Sequence, residues 1–270
     1  MLYIISTPIG NLEDITLRAI RIMSKCDYIL CEDTRISRRL LEKYEIKTHL
    51  ISFHKFNEKK LQKKIIEDLQ SKKTIGLISD AGTPLISDPG YNLVSTCLQE
   101  DIKVEAIPGP SSIIQALVLS GFETAPFQFL GFLPKKPSDL NFFIKKMLFF
   151  DGTSLVFESA KRIKKTVEKI ASLDPERQIA ILKELTKKFE KRIAFSAKEM
   201  AKYLNTHPIK GEIVLAVQKG KIIDDISIDE CIKLLRSLHG FDLKEAIKFT
   251  AKIKDMPKKE LYNKFLKDRK

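Results

Sequence analysis

Short apolar runs alternate with amphipathic segments along the first 110 residues of this chain. The apolar runs lie at residues 2–6, 27–31, 49–52, 74–78 and 103–107. Between these runs, apolar residues recur at helical spacing near residues 16–24, 35–43, 57–70 and 90–99. Short runs that are apolar throughout are typical of strands buried on both faces, so the alternation predicts a mostly parallel sheet covered by helices.

The pattern changes twice beyond residue 110. A helix is predicted to about residue 120, and residues 127–133 then open a second α/β unit with a mixed sheet. Its strands are predicted at residues 153–157, 178–182, 190–195 and 211–218. Its helices are predicted near residues 139–149, 161–171 and 196–204. Beyond Gly220 the apolar spacing is helical only, which predicts a small three-helix segment.

The fold class predicted is therefore α/β, with two α/β domains and a helical appendage. The predicted bounds are residues 1–120 for the N-terminal domain, 121–220 for the second domain and 221–270 for a basic helical segment. The proline-bracketed stretch at residues 131–137 is predicted to be the hinge between the two α/β domains.

Composition excludes several classes of protein. The chain has 270 residues and 43% hydrophobic content, which supports a folded globular protein. No apolar run reaches the roughly 18 residues that a membrane span needs, and the first strand begins without a leader, so we expect a soluble, cytoplasmic protein. The four cysteines and four histidines lack the spacing of metal ligands, so we expect no metal.

Positive charge is concentrated in the later parts of the chain. The net charge is +13, with 16 basic against 15 acidic residues up to residue 110, 19 against 11 in residues 111–220 and 13 against 9 thereafter. A basic surface attracts polyanions, so this distribution favours a nucleic-acid partner. The alternative is that lysines simply cover solvated helix faces.

Three loops rich in glycine and proline follow predicted strands. They span residues 7–14, 79–90 and 108–112. If the strands are parallel, the loops emerge at one edge of the sheet and line a single ligand site. The chain has neither the G-x-G-x-x-G motif nor a phosphate-binding P-loop, which argues against a nicotinamide cofactor or a nucleoside triphosphate. The alternative is that these loops are ordinary strand-to-helix turns.

The motifs of the chain, taken together, resemble those of the RsmI family, whose members are ribose 2′-O-methyltransferases of small-subunit ribosomal RNA. The motifs are residues 2–21, 32–35, 52–54, 79–90, 108–111, 131–134, 158–159, 183–188 and 210–212. They cover nearly the whole chain in order, which is far more specific than any single loop.

This resemblance implies a fold and a reaction. The fold is of the tetrapyrrole-methylase type, with a cleft between the two α/β domains. The methyl donor is S-adenosylmethionine, without a metal. The acceptor is a cytidine ribose in the decoding region of 16S ribosomal RNA, within the 30S subunit, and the enzyme is a homodimer.

Two other functions stay open at this point. A tetrapyrrole methyltransferase has the same fold, but the net charge of +13 and the helical appendage argue against it. A non-catalytic RNA-binding assembly factor would have decayed donor loops, whereas all three loops here are complete.

The resemblance also implies roles for individual residues. The residues expected to bind the donor are Pro8, Gly10, Asp80, Ala81, Gly82, Thr83, Pro84, Ser111, Phe157, Glu158 and Leu185. A ribose hydroxyl is a poor nucleophile, so a base or a cation is needed beside it. The candidates are Asp80, Glu158 and Lys183, with Glu184 beside them. For Phe157 and Leu185 the alternative is strand core, and for Asp80 it is a turn or helix cap.

RNA contacts are expected in the first domain, in the lysine-rich stretch of the second domain and on the helical appendage. Basic and aromatic residues suited to phosphates and unstacked bases are Arg35, Arg38, Arg39, His54, Phe56, Lys187 and Lys188. The carboxylates of Glu32 and Asp33 are expected to orient the acceptor nucleotide. The alternatives are a helix N-terminus with exposed arginines, surface packing for the aromatic residues, and a solvated loop for the lysines.

Overall fold

The computed structural model describes residues 1–219, 227–239, 241–254 and 256–267. The predicted boundary at residue 220 and the expectations for residues 221–226, 240, 255 and 268–270 lie outside the described residues. The chain forms two compact units. The first comprises Met1–Gln115 with Glu184–Lys191, and the second comprises Ala116–Lys183 with Arg192–Lys270.

The first unit contains a five-stranded parallel sheet. Its strands are β1 (Leu2–Ile5), β2 (Tyr28–Cys31), β3 (His49–Ser52), β4 (Ile75–Leu77) and β5 (Val104–Ile107). The spatial order is β3-β2-β4-β1-β5, and every described pair is parallel. This confirms the parallel sheet predicted from the apolar runs.

Helices cover both faces of this sheet. They are α1 (Leu17–Met23), α2 (Thr34–Lys43), α3 (Glu58–Gln70) and α4 (Tyr91–Gln99). Neighbouring strand residues point to opposite faces, so Leu30 packs with α3 and α4 whereas Ile29 packs with α1 and α2. Because apolar side chains are needed on both faces, the central strands read as continuous apolar runs.

The second unit contains a mixed five-stranded sheet. Its strands are β6 (Phe127–Phe132), β7 (Thr153–Ser159), β8 (Gln178–Lys183), β9 (Lys191–Ser196) and β10 (Glu212–Val217). Their order is β6-β7-β10-β8-β9, with β6 parallel to β7 and β10 antiparallel to both β7 and β8. The prediction of a mixed sheet is confirmed.

Four more helices belong to this part of the chain. They are α5 (Ser112–Ser120), α6 (Pro137–Leu148), α7 (Ile163–Leu173) and α8 (Ala197–Thr206). The chain passes from the first unit to the second between Gln115 and Ala116, within α5.

The stretch predicted to be a hinge, residues 131–137, is bonded inside the second unit. The Arg162 guanidinium donates to the carbonyl oxygen of Leu133 at 2.7 Å and to that of Pro134 at 3.3 Å. Leu133 itself is buried in the core of this unit. The proline residues therefore shape the turn between β6 and α6, and a hinge at this stretch stays a prediction.

Three helices end the described chain. They are α9 (Ile228–His239), α10 (Leu243–Ile253) and α11 (Lys258–Lys267). Their shared apolar cluster includes Cys231, Ile232, Ala246, Ile247 and Leu261. This confirms the predicted three-helix segment, which groups with the second unit.

Candidate functional site

The three glycine- and proline-rich loops of the first unit are hydrogen-bonded to one another. The amides of Thr7 and Gly82 each donate to the other residue's carbonyl oxygen, at 2.9 Å and 3.0 Å. The hydroxyl of Thr83 lies 3.1 Å from that of Ser6 and 3.4 Å from the carbonyl oxygen of Pro110. The loops after β1, β4 and β5 therefore form one assembly at the carboxyl ends of parallel strands.

Two glycines make this assembly possible. Gly82 has a φ of +77°, and a Cβ there would lie 3.2 Å from Cγ2 of Ile9. A Cβ on Gly109 would lie 2.8 Å from Cβ of Ser6. A larger residue at either position would strain the backbone or separate two loops, since the left-handed region and the close approach both favour glycine.

Residues Glu184–Lys191 also contact these loops. A Cβ on Gly10 would lie 3.0 Å from the carbonyl oxygen of Leu185 and 2.9 Å from Oγ1 of Thr186, and would collide with the side chain of Lys187. The amide of Asn11 donates to Thr186 Oγ1 at 3.1 Å. Gly10 and Leu185, both predicted to bind the donor, are thus neighbours. The sequence predicts Leu185 in the second domain, but it groups with the first unit.

The carboxyl ends of β2 and β4 carry a group of carboxylates. Asp80 Oδ1 accepts a hydrogen bond of 3.1 Å from the amide of Asp33. Burial raises the pKa of Asp80 above its ordinary value, and the negative charge of Asp33 adds to this effect. The pKa of Asp88 is raised to about 6, first by burial and then by the charges of Glu32 and Asp80. A proton or a cation is therefore favoured here.

Asp88 is a residue that sequence reasoning missed. It stands in Ser87-Asp88-Pro89-Gly90, where an aspartate is expected as a turn former. Its only signal was its place in the loop after β4. Its raised pKa depends on burial and on Glu32, which lies far away in the sequence.

Asp33 and Arg35 form a local pair at the start of α2. Asp33 caps the helix, since its side chain accepts from the Arg35 amide at 2.8 Å. The Arg35 guanidinium then lies 2.6 Å from Asp33 Oδ2. This ion pair holds the pKa of Asp33 at about 2. The other predicted phosphate ligands of α2, Arg38 and Arg39, are exposed.

A pocket of about 450 Å³ opens beside these residues in the first unit. It is lined by Glu32, Asp33, Thr34, Arg35, Ser52, His54, Lys55, Phe56 and Asp80. Phe56 is 84% exposed, with the His54 ring 5.9 Å and Lys55 Nζ 5.0 Å from its centroid. The pocket thus combines carboxylates, cations and an exposed aromatic ring.

Glu158, a predicted catalytic and donor-binding residue, lies in the second unit and is 2% exposed. Its carboxylate accepts from Arg162 at 3.0 Å, from Thr166 Oγ1 at 2.8 Å and from the Ser159 amide at 2.8 Å. Because Arg162 also bonds the β6–α6 turn, these contacts favour a role in positioning that turn.

Two other residues of the second unit, Phe157 and Lys183, are also predicted to bind the donor or to take part in catalysis. Phe157 packs against Phe129 and Phe132, with ring centroids 4.8 Å and 5.3 Å away. Lys183 is the last residue of β8 and is partly exposed. Their roles in binding and catalysis stay predictions.

The remaining predicted donor ligands belong to the three bonded loops. Pro8, Gly82 and Pro84 are buried, whereas Thr83 and Ser111 are partly exposed and Ala81 is exposed. The two lysines predicted to bind RNA differ in their surroundings. Lys187 is partly exposed and its ammonium group lies 3.3 Å from the Glu184 carboxylate, whereas Lys188 is exposed.

Among the described residues, no group of His, Cys, Asp and Glu side chains is arranged to hold a metal ion. None of the helices in the described ranges is long and apolar enough to cross a membrane.

The family of this chain is shown by comparison with known proteins. Residues 1–201 match the family model for tetrapyrrole (corrin/porphyrin) methylases. The chain therefore belongs to the tetrapyrrole methylase family, and the fold class predicted from the sequence is confirmed.

Within that family, two similar curated proteins carry the same name. The chain is 38% identical over 269 residues to ribosomal RNA small subunit methyltransferase I of Halalkalibacterium halodurans, covering 97% of this chain and 93% of the relative. It is 44% identical over 221 residues to the protein of that name from Hydrogenobaculum sp., covering 81% and 95%. These matches confirm the resemblance to the RsmI family.

Solved structures share the fold at low identity. Diphthine synthase has a TM-score of 0.64 at 14% identity and covers 88% of this chain and 94% of its own. Uroporphyrin-III C-methyltransferase from Thermus thermophilus, complexed with S-adenyl homocysteine, has a TM-score of 0.58 at 16% identity, covering 80% and 96%. These two similarities concern the fold alone.

Proposed function

We propose that this protein is an S-adenosylmethionine-dependent methyltransferase that acts on RNA of the small ribosomal subunit. The observation that carries the proposal is the bonded assembly of three loops at the carboxyl ends of β1, β4 and β5. Open α/β sheets bind their ligands at this edge. The names of relatives 38% and 44% identical to the chain support the substrate class.

The loop assembly fits a cationic methyl donor. When bound, S-adenosylmethionine supplies a methyl group carried on a positively charged sulfur. Asp80 and Asp88 are crowded carboxylates with raised pKa values, and a nearby positive charge lowers the free energy of their ionised forms. Ala81 is exposed beside the buried Gly82, whose backbone is bonded to Thr7, so a ligand can reach the loop at Ala81.

The acceptor in this proposal is a cytidine ribose in the decoding region of 16S ribosomal RNA, within the 30S subunit. This finer assignment follows from the family resemblance. The exposed guanidinium groups of Arg38 and Arg39 provide phosphate contacts, which position RNA without reading its sequence. Lys188 provides a further exposed cation on Glu184–Lys191.

Asp80 is the base candidate that the geometry favours for deprotonating the ribose hydroxyl. It lines the pocket, it starts the donor loop, and its raised pKa brings it nearer to neutral pH. Glu158 is instead assigned to holding the β6–α6 turn through Arg162. Lys183 and Glu184 are left as secondary candidates.

The proposal includes a cytoplasmic homodimer, as the family resemblance implies. Helix α5 exposes three apolar side chains, those of Ile114, Val118 and Leu119, which suit a protein interface. Measurement of the molar mass in solution tests this part, and a strict monomer at working concentration would refute it.

The function is tested in two stages. Titration calorimetry with S-adenosylmethionine measures donor binding, and mass spectrometry of 16S RNA follows incubation of 30S subunits with protein and donor. Binding together with a methylated decoding-region cytidine ribose supports the proposal. Binding with a different product points to another acceptor, and no binding favours an RNA-binding factor without catalysis.

A further inference from the structure

The pocket beside Asp80 is rich in hydrogen-bond acceptors. Three of its lining residues, Glu32, Asp33 and Asp80, are carboxylates. The Asp33 carboxylate is engaged by Arg35 at 2.6 Å, and Asp80 accepts the Asp33 amide through one oxygen. Glu32 is exposed and lines the same pocket. Of the three carboxylates, it is therefore the one best placed to accept a hydrogen bond from a ligand.

The backbone of Glu32 is held in place by the neighbouring strand. The hydroxyl of Ser52, at the end of β3, donates to the Glu32 carbonyl oxygen at 3.3 Å. The Asp33 amide is held by Asp80 at the end of β4. Glu32 therefore projects from a fixed position between two strand ends, as a specificity-determining residue requires.

The pocket also offers an aromatic surface. Phe56 is 84% exposed, and the ammonium group of Lys55 lies 5.0 Å from its ring centroid. Exposure of a large aromatic ring is unfavourable in water, and a nucleobase stacked on it removes that exposure. Aromatic rings beside cations are typical of sites for unstacked bases of single-stranded RNA.

We propose that this pocket binds the base of the acceptor nucleotide, with Phe56 stacked on the base and Glu32 accepting a hydrogen bond from an exocyclic amino group. The inference rests on the proposed function, since the base must be held while the ribose is methylated. A carboxylate accepts from the amino group of cytosine. Uracil has a carbonyl oxygen where cytosine has this amino group. That oxygen cannot donate a hydrogen bond, and its negative partial charge is repelled by the carboxylate. Glu32 therefore selects cytosine over uracil.

The position of Asp80 links this pocket to the methyl-donor loops. Asp80 lines the pocket and is followed directly by Ala81 and Gly82, whose loop is bonded to Thr7. A base held by Glu32 and Phe56 thus has its ribose in reach of the same loop that is proposed to bind the donor.

The test compares cytidine 5′-monophosphate with uridine 5′-monophosphate as probes. Nuclear magnetic resonance titration of the full chain gives an affinity for each. We expect the wild type to bind the cytidine nucleotide about tenfold more tightly or better, and Glu32→Gln to bring the two affinities close together, because an amide can both accept and donate. The control is Glu42→Gln, which removes the same charge from an exposed residue of α2. This variant should keep the wild-type ratio of the two affinities.

Phe56 is tested in the same titration. Phe56→Ala should weaken both nucleotides by a similar factor, and Phe56→Tyr should restore their binding because it keeps the ring. Failure of the wild type to bind either nucleotide, or an unchanged ratio in Glu32→Gln, overturns the assignment of the pocket. These measurements need no methyl transfer, so their failure is distinguishable from failure of the proposed function.

Discussion

The amide of Asp33 donates a hydrogen bond of 3.1 Å to Oδ1 of Asp80 and so ties the ends of two neighbouring strands together through one carboxylate. Asp33 also caps α2 and pairs with Arg35. One side of the bond therefore belongs to the predicted RNA-contacting helix and the other to the predicted donor loop. This contact makes Asp80 the residue at which binding and catalysis are expected to meet.

Substitution of Asp80 tests its role as the base. Asp80→Asn keeps an oxygen that accepts from the Asp33 amide but removes the proton acceptor. We expect kcat for RNA methylation to fall by about 10²–10⁴-fold, with a smaller change in donor affinity. Glu67→Gln, which removes an exposed carboxylate on α3, away from the loops and the pocket, should leave kcat unchanged. A wild-type kcat in Asp80→Asn would assign the base to another residue.

Substitution of Gly82 tests the donor loop. Gly82→Arg places a side chain in a buried, left-handed position beside Ile9, so we expect loss of S-adenosylmethionine binding in calorimetry. Gly211→Arg introduces a similar backbone strain at φ +92° in the second unit and serves as the control. If Gly82→Arg is folded by circular dichroism and binds the donor normally, the loop is not the donor site.

Asp88 should make stability depend on pH. Its folded-state pKa of about 6 lies above its ordinary value, so folding favours the protonated carboxyl. The contribution of Asp88 to the free energy of unfolding is therefore greatest below about pH 4, and it is lost as the pH rises through about 6. The free energy of unfolding of Asp88→Asn relative to the wild type should therefore rise across that range, by about 1 kcal/mol once solvent screening of this half-buried carboxyl is allowed for.

Urea unfolding of wild type and Asp88→Asn between pH 4 and pH 8 measures this difference. The control is Glu42→Asn, which changes an exposed carboxylate on α2. A difference between the Asp88 variant and the wild type that does not vary with pH would show that Asp88 has the same pKa in both states.

The Glu158 carboxylate should contribute to the stability of the second unit. Glu158→Ala leaves the guanidinium of Arg162 without its ion-pair partner and Thr166 without its acceptor. We expect the free energy of unfolding to fall by about 2–4 kcal/mol. Glu168→Ala breaks an exposed pair with Lys164 and should cost about 0.5 kcal/mol or less. Equal urea midpoints for the two variants would contradict a structural role for Glu158.

Several elements were predictable because their signals are local. Strand β3 has the predicted bounds, His49–Ser52. The four helices that cover the parallel sheet, α1 to α4, each begin and end within one residue of the predicted positions. Turn-forming residues and helix caps such as Asp33 mark these limits within a few positions of the chain. The order of motifs along the sequence also identified the family before any geometry was known.

The sequence by itself determined the α/β class, the three loops and the family, because strand, helix and loop chemistry depend on neighbouring residues. The tertiary structure decided that Leu185 lies beside Gly10, that Glu158 is bonded to Arg162 and Thr166, and that Asp88 has a raised pKa. Each of these depends on burial and on neighbouring groups. The contact of Gly10 with Leu185 and the effect of the Glu32 charge on Asp88 join residues far apart in the chain. No local pattern reports such contacts, since packing alone brings those groups together.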